Sequence, residues 1–149
     1  MQIDRDVRPE HFAQLEGLLY GINYEVWIGL YGPLDAQISL EQALKEVVSQ
    51  DAVVGGSELA ARGVVRSQIM EMLLYPGDPG CGPIDLEAKR AEIITLTRRI
   101  LSDAHLDEAQ EVTSFWFAKG HPAYPVFWDF AYDIHAQGKR WILLGSSSD

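Results

Sequence analysis

The sequence predicts an α+β protein in which about five helices pack on a small sheet, with a βαβ unit at the C-terminal end. Segments with apolar residues at helical spacing follow typical helix-start residues, and shorter runs are rich in β-branched and aromatic residues. The chain has 149 residues, of which 47% are hydrophobic. This is enough for one hydrophobic core, so we expect residues 1–149 to form a single globular domain.

The first half of the chain carries three predicted helices and one predicted strand. Pro9 followed by Glu10 is typical of a helix start, which predicts a helix over about residues 9–20. Residues 22–31 place apolar side chains at alternate positions and favour a strand, although a helix that continues through Gly21 also fits. Ser39 and Gln42 form a capping box for a helix over residues 39–50, and Ser57 is a suitable cap for a helix over residues 57–75.

Residues 76–83, with the sequence PGDPGCGP, form the strongest loop signal in the chain. The loop follows a predicted helix and has no lysine, so it does not match a phosphate-binding loop. Cys81 is the only cysteine and is interpreted as a loop thiol. The absence of a cysteine pair favours a reducing compartment, and we expect a cytoplasmic protein. A long helix is predicted after this loop, over residues 83–103.

The C-terminal region contains two β-rich runs, residues 112–118 and 140–145, on either side of an amphipathic segment. That segment begins near Pro125 and ends near Gly138, and its apolar residues fit a helix with an unusually broad apolar face. Strand, helix and strand in this order predict a βαβ unit with parallel strands and a right-handed crossover. Residues 146–148, three serines, are expected to form a disordered tail.

The net charge of −10 is distributed unevenly, because residues 9–61 contain eight acidic residues and only one basic residue, Lys45. Such a surface repels the phosphate backbone of nucleic acids and speeds encounter with basic proteins. We therefore expect no nucleic-acid binding and a basic protein partner. No apolar run is long enough for a membrane span, so no membrane association is expected.

Two functional hypotheses follow from these patterns. The favoured one is an acidic protein-binding module, a small bacterial inhibitor or immunity-type protein that covers a basic partner. Its predicted partner-binding residues are four acidic and three aromatic side chains, namely Asp35, Glu41, Glu46, Asp51, Trp27, Trp128 and Tyr132. Tyr31 is a further aromatic expected to be exposed.

The alternative is a small hydrolase or transferase that uses His121 as general base, with Ser146 and Asp129 nearby. His121 is the strongest single candidate because it precedes Pro122 in the predicted loop after a strand. No cofactor or metal motif is present, so we expect neither, and the sequence leaves the oligomeric state open.

Overall fold

The computed structural model of this chain describes residues 9–78, 80 and 82–149. These residues contain four α-helices, five strands and a short 3-10 helix, Leu106–Glu108. The helices are α1 (Glu10–Leu18), α2 (Leu40–Val47), α3 (Arg62–Leu73) and α4 (Leu86–Asp103); the strands are β1 (Glu25–Asp35), β2 (Val53–Ala60), β3 (Glu111–Lys119), β4 (Trp128–Ala136) and β5 (Lys139–Ser148). The fold is α+β as expected, with four α-helices in the described part of the chain instead of about five.

The five strands form one sheet in the order β1-β5-β4-β3-β2, and all neighbouring strands are antiparallel. The predicted βαβ unit over residues 112–145 is therefore wrong. Its expected helix, residues 125–137, is mostly strand β4, which pairs with both β3 and β5. Gln137 and Gly138 have positive φ angles of 54° and 75° and connect β4 to β5 in a tight hairpin. Gly138 thus belongs to a hairpin turn and does not end a helix.

The sequence of strand β4 fits a helical pattern because this strand is buried on both faces of the sheet. Phe130, Tyr132 and Ile134 point to one side of the sheet and pack in the larger core, whereas Ala131 packs in the smaller core on the other side. A strand that is covered on both faces has apolar residues at consecutive positions. On a helical projection, the same residues form a broad apolar face.

Helices cover both faces of the sheet, but unequally. Helices α1, α3 and α4 pack on one face, here called the three-helix face, where Val26, Ile28 and Leu143 contribute to the larger core. Helix α2 alone packs on the opposite face, here called the α2 face, where Ile142 and Leu144 contribute to the smaller core. Neighbouring residues of β5 therefore point into different cores, as the two-residue period of a strand requires.

Several sequence-based boundaries change in the structure. The strand expected at residues 22–31 is confirmed as β1, and the helices expected near residues 9–20, 39–50 and 83–103 are present as α1, α2 and α4. Residues 57–60, expected to start a helix, belong to strand β2, and α3 begins only at Arg62. The expected disordered tail is also wrong, since Ser146–Ser148 extend β5 between two pairing strands.

The two edge strands each receive a glutamate side chain from a helix. Glu16 of α1 accepts a hydrogen bond from the Ile28 amide of β1 at 2.8 Å, and Glu41 of α2 accepts one from the Val54 amide of β2 at 3.0 Å. Unpaired amides at a sheet edge can recruit another strand, so each carboxylate protects its edge locally. Among the described residues, no helix combines the length and apolar character that crossing a membrane requires. Cys81 lies outside the described residues.

Candidate functional site

The three predicted catalytic residues lie near the same end of the α2 face. Ser146 of β5 is the register partner of both Trp27 on β1 and Asp129 on β4, so these side chains form one row across three strands. His121 lies in the loop between β3 and β4, close enough for the charge of Asp129 to influence its pKa. Proximity alone does not make a catalytic site, because a general base also needs an accessible lone pair.

His121 is held by its own loop. Nδ1 lies 2.9 Å from the Ala123 amide nitrogen and 3.1 Å from the Ala123 carbonyl oxygen, so it accepts from the amide in one tautomer and donates to the carbonyl in the other. Nε2 is buried without a hydrogen-bond partner in the described part of the chain, and the ring packs edge-on against Phe117 at 5.0 Å. Burial lowers the pKa of His121, while a hydrogen bond from the ring to the Ala123 carbonyl and the charge of Asp129 act in the opposite direction.

This environment does not favour acid–base catalysis. Nδ1 is engaged by the backbone of Ala123, and Nε2 is buried. Ser146, which the alternative hypothesis places near His121, is only 2% exposed. A substrate could not reach either atom without movement of the loop or of the sheet, so the geometry gives no support to the hydrolase or transferase hypothesis.

A buried ionic cluster on the α2 face was missed in the sequence. Arg140 Nε donates to Asp133 Oδ1 at 2.9 Å, and Arg140 Nη1 donates to the Ile38 carbonyl at 2.9 Å. His135 lies beside this pair, with Nε2 at 3.3 Å from both Asp133 Oδ2 and Arg140 Nε. Asp133 and Arg140 are each 5% exposed. The cluster joins strands β4 and β5 to the segment before α2, so its role is to position that helix.

The sequence contained a signal for this cluster. Asp133 and His135 are two residues apart, and Arg140 lies two residues after Gly138, a residue type that suits a tight hairpin turn. If residues 128–148 had been interpreted as a hairpin, His135 and Arg140 would have been predicted as cross-strand partners. The helical interpretation separated them.

The four predicted acidic binding residues lie on or beside α2. Asp35 ends β1, Glu41 and Glu46 lie on α2, and Asp51 follows it. Asp35, Glu46 and Asp51 are exposed, whereas Glu41 is half-buried and bonded to the Val54 amide. Among the described residues, none of these four carboxylates takes part in an ion pair. Three of the four acidic side chains are thus exposed on α2 or next to it in the chain, and the fourth makes a structural contact.

The predicted aromatic binding residues are divided between the two faces. Trp27 and Tyr31 are half-buried on the α2 face and pack against the smaller core. Tyr132 was expected to be exposed but is only 2% exposed; its hydroxyl donates to Gln68 Oε1 at 2.7 Å, and burial raises its pKa. Trp128 is half-buried, and its indole nitrogen donates to the Tyr24 hydroxyl at 2.8 Å. Both residues therefore stabilise the three-helix face.

No group of three or more histidine, cysteine, aspartate or glutamate side chains in the described part of the chain is arranged to hold a metal ion. A scan against protein-family models, a search of curated proteins and a search of solved structures each found no match for this chain. A functional assignment therefore depends on the geometry of the chain itself.

Proposed function

We propose that this chain is a protein-binding module that presents its α2 side to a basic protein partner, in the manner of a small inhibitor or immunity-type protein. The contacting surface, here called the acidic α2 layer, consists of Asp35, Glu46 and Asp51 with the half-buried aromatics Trp27 and Tyr31. The observation that carries the proposal is that Asp35, Glu46 and Asp51, on α2 or next to it in the chain, are exposed and form no ion pair among the described residues.

The chemistry of this layer fits recognition of a basic surface. Unpaired carboxylates attract a cationic partner over distance and raise the rate of association. Trp27 and Tyr31 are large side chains that bury apolar area with little loss of conformational freedom, and aromatic residues are enriched among those that dominate binding energy. An acidic surface that also carries aromatic side chains is suited to covering a basic site.

Helix α2 is held in place by a cap, by a buried leucine and by contacts with the sheet, which favours binding without reorganisation of this layer. The Ser39 hydroxyl accepts the Gln42 amide hydrogen bond at 3.1 Å and caps α2, and Leu44 is fully buried beneath it. The Arg140 guanidinium and Glu41 hold the helix to the sheet at two further points. A surface on a rigid scaffold loses less conformational entropy on binding.

The proposal is tested by association kinetics with a partner isolated from the native cells. The double variant Glu46→Lys/Asp51→Lys reverses two exposed charges of the layer. We expect its association rate constant at low salt to fall by about tenfold or more, with a smaller change in dissociation rate. Raising the ionic strength from low to physiological values should have a similar effect on the wild-type protein.

The matched control is Glu87→Lys/Glu92→Lys, which changes the net charge equally but lies on α4, on the other side of the sheet. We expect it to alter the association rate by less than about threefold. A partner whose association is insensitive to salt and to Glu46→Lys/Asp51→Lys would contradict the proposal. Glu41 is not used in the test because its loss would disturb the edge of β2.

A further inference from the structure

The opposite side of the molecule carries a groove of different chemistry. Helices α3 and α4 run side by side on the three-helix face, and a surface cavity of about 490 Å³ lies between them. A second cavity of about 380 Å³ continues it, because both are lined by Arg66 and Arg98. The combined shape is an elongated groove along two helices, which suits a chain segment better than a compact small molecule.

The residues of this groove combine cationic and apolar side chains. Arg66 and Met70 of α3 and Leu74, the residue that follows this helix, are spaced four residues apart and form one stripe. Arg90 and Arg98 face them from α4, and Glu71 lies at the rim. These six residues, here called the arginine groove, place arginines at both ends of an apolar centre.

The charge of the groove contrasts with that of the whole chain. Residues 62–103 contain six basic residues, half of the twelve in a protein of net charge −10. Arg98 takes part in no ion pair among the described residues, while Arg66 pairs with Asp107, and Arg90 lies 3.9 Å from Glu87. These two pairs are exposed, and exposed pairs contribute little to stability. The arginines can therefore exchange these carboxylates for those of a ligand.

We propose that the arginine groove binds an acidic, amphipathic helical segment of a partner protein. The apolar face of that helix would lie on Met70 and Leu74, as a third helix added to α3 and α4. Arg90 and Arg98 are eight residues apart on α4, which corresponds to about 12 Å. Acidic residues about two turns apart on the bound helix would reach both arginines, and guanidinium groups bind carboxylates in a bidentate manner.

This site is independent of the acidic α2 layer, because it lies on the other face of the sheet and selects the opposite charge. A chain with both surfaces could contact a basic protein on one side and an acidic helix on the other. Failure of either proposal leaves the other unaffected.

The test uses the full chain and a stapled, fluorescein-labelled peptide with two glutamates about seven residues apart and leucines between them on the same face. Fluorescence anisotropy at physiological salt measures its affinity. We expect saturable binding by the wild-type protein, and binding about tenfold weaker for the same peptide with glutamine in place of glutamate. Stapling removes the cost of helix formation from the comparison.

Variants of the chain locate the site. Arg90→Glu and Arg98→Glu should each weaken binding about tenfold, whereas Arg99→Glu, on the same helix but outside the groove, should change it less than about threefold. Glu71→Lys should strengthen binding, because it removes the acidic residue at the rim. Glu46→Lys/Asp51→Lys should leave the affinity within about threefold. Circular dichroism confirms that each variant is folded.

Three outcomes would overturn the proposal: no saturable binding by the wild-type chain, equal affinity for the glutamate and glutamine peptides, or a loss with Arg99→Glu as large as that with Arg98→Glu. A gain of affinity with Glu71→Lys together with a loss with Arg98→Glu would support it, since a purely structural role for these exposed side chains predicts neither change.

Discussion

The three-helix face and the α2 face of the sheet differ in how they are covered and in what they expose. Three helices and a large apolar core cover the first, whereas the eight-residue helix α2 and a small core cover the second. The α2 face also buries an ion pair, Asp133 with Arg140, at strand positions where the other face buries apolar side chains. The comparison shows that one face provides most of the hydrophobic stabilisation, while the other depends on specific polar contacts to position α2.

The charges follow the same division. Acidic side chains that form no ion pair among the described residues lie around α2, whereas acidic and basic residues are equal in number over residues 62–103, which include α3 and α4. A net charge averaged over the whole chain conceals this difference. The two proposed binding surfaces therefore differ in local charge, and the proposals assign them different kinds of partner.

The largest effect on stability is expected from the ionic cluster that holds the α2 face together. Arg140→Ala leaves the Asp133 carboxylate buried without its cation, so we expect the free energy of unfolding to fall by about 3–5 kcal/mol. Urea denaturation followed by tryptophan fluorescence measures the loss. The double variant Asp133→Leu/Arg140→Met should recover part of it, because both charges are removed together. A loss below about 1 kcal/mol for Arg140→Ala would show that the pair does not hold this face.

A second comparison uses two neighbouring leucines that point into different cores. Leu143→Ala opens the larger core and Leu144→Ala the smaller one, and both side chains are fully buried in the wild-type protein. Each should cost about 2–5 kcal/mol, with the greater loss for Leu143→Ala. A single short helix can move into the space left by Leu144 more easily than three packed helices can close the space left by Leu143. Equal losses in urea denaturation would mean that the two faces are equally rigid.

The smallest effect is expected at the helix cap of α2. Ser39→Ala removes the acceptor for the Gln42 amide and should lower the free energy of unfolding by about 1 kcal/mol. Ser67→Ala, an exposed position within α3, is the control and should not destabilise the protein. If the two variants have the same denaturation midpoint, the cap does not contribute to the stability of the α2 face.

The sequence predicted the capped and strongly periodic elements well and the central strands poorly. The start of α2 was predicted from Ser39 and Gln42 alone, because a cap is a local interaction. Strand β4 could not be recognised in the same way, since its apolar residues satisfied a helical period as well as burial on both faces of a sheet. Ser57 similarly predicts a cap for a helix that starts at this residue, whereas its pairing with Phe115 makes it part of β2.

The candidate sites, like the strands, could be predicted from the sequence only where they depend on local patterns. The sequence alone determined the mixed fold class, the acidic character of residues 9–61 and the local start of α2, because these properties depend on composition or on residues close in the chain. Only the tertiary structure decided that Glu41 is a structural contact, that Tyr132 is buried, and that Arg66 and Arg98 share a groove. Those outcomes depend on contacts between segments distant in sequence. No local pattern encodes such contacts, since the same side chain can be exposed or buried according to which strand or helix packs beside it.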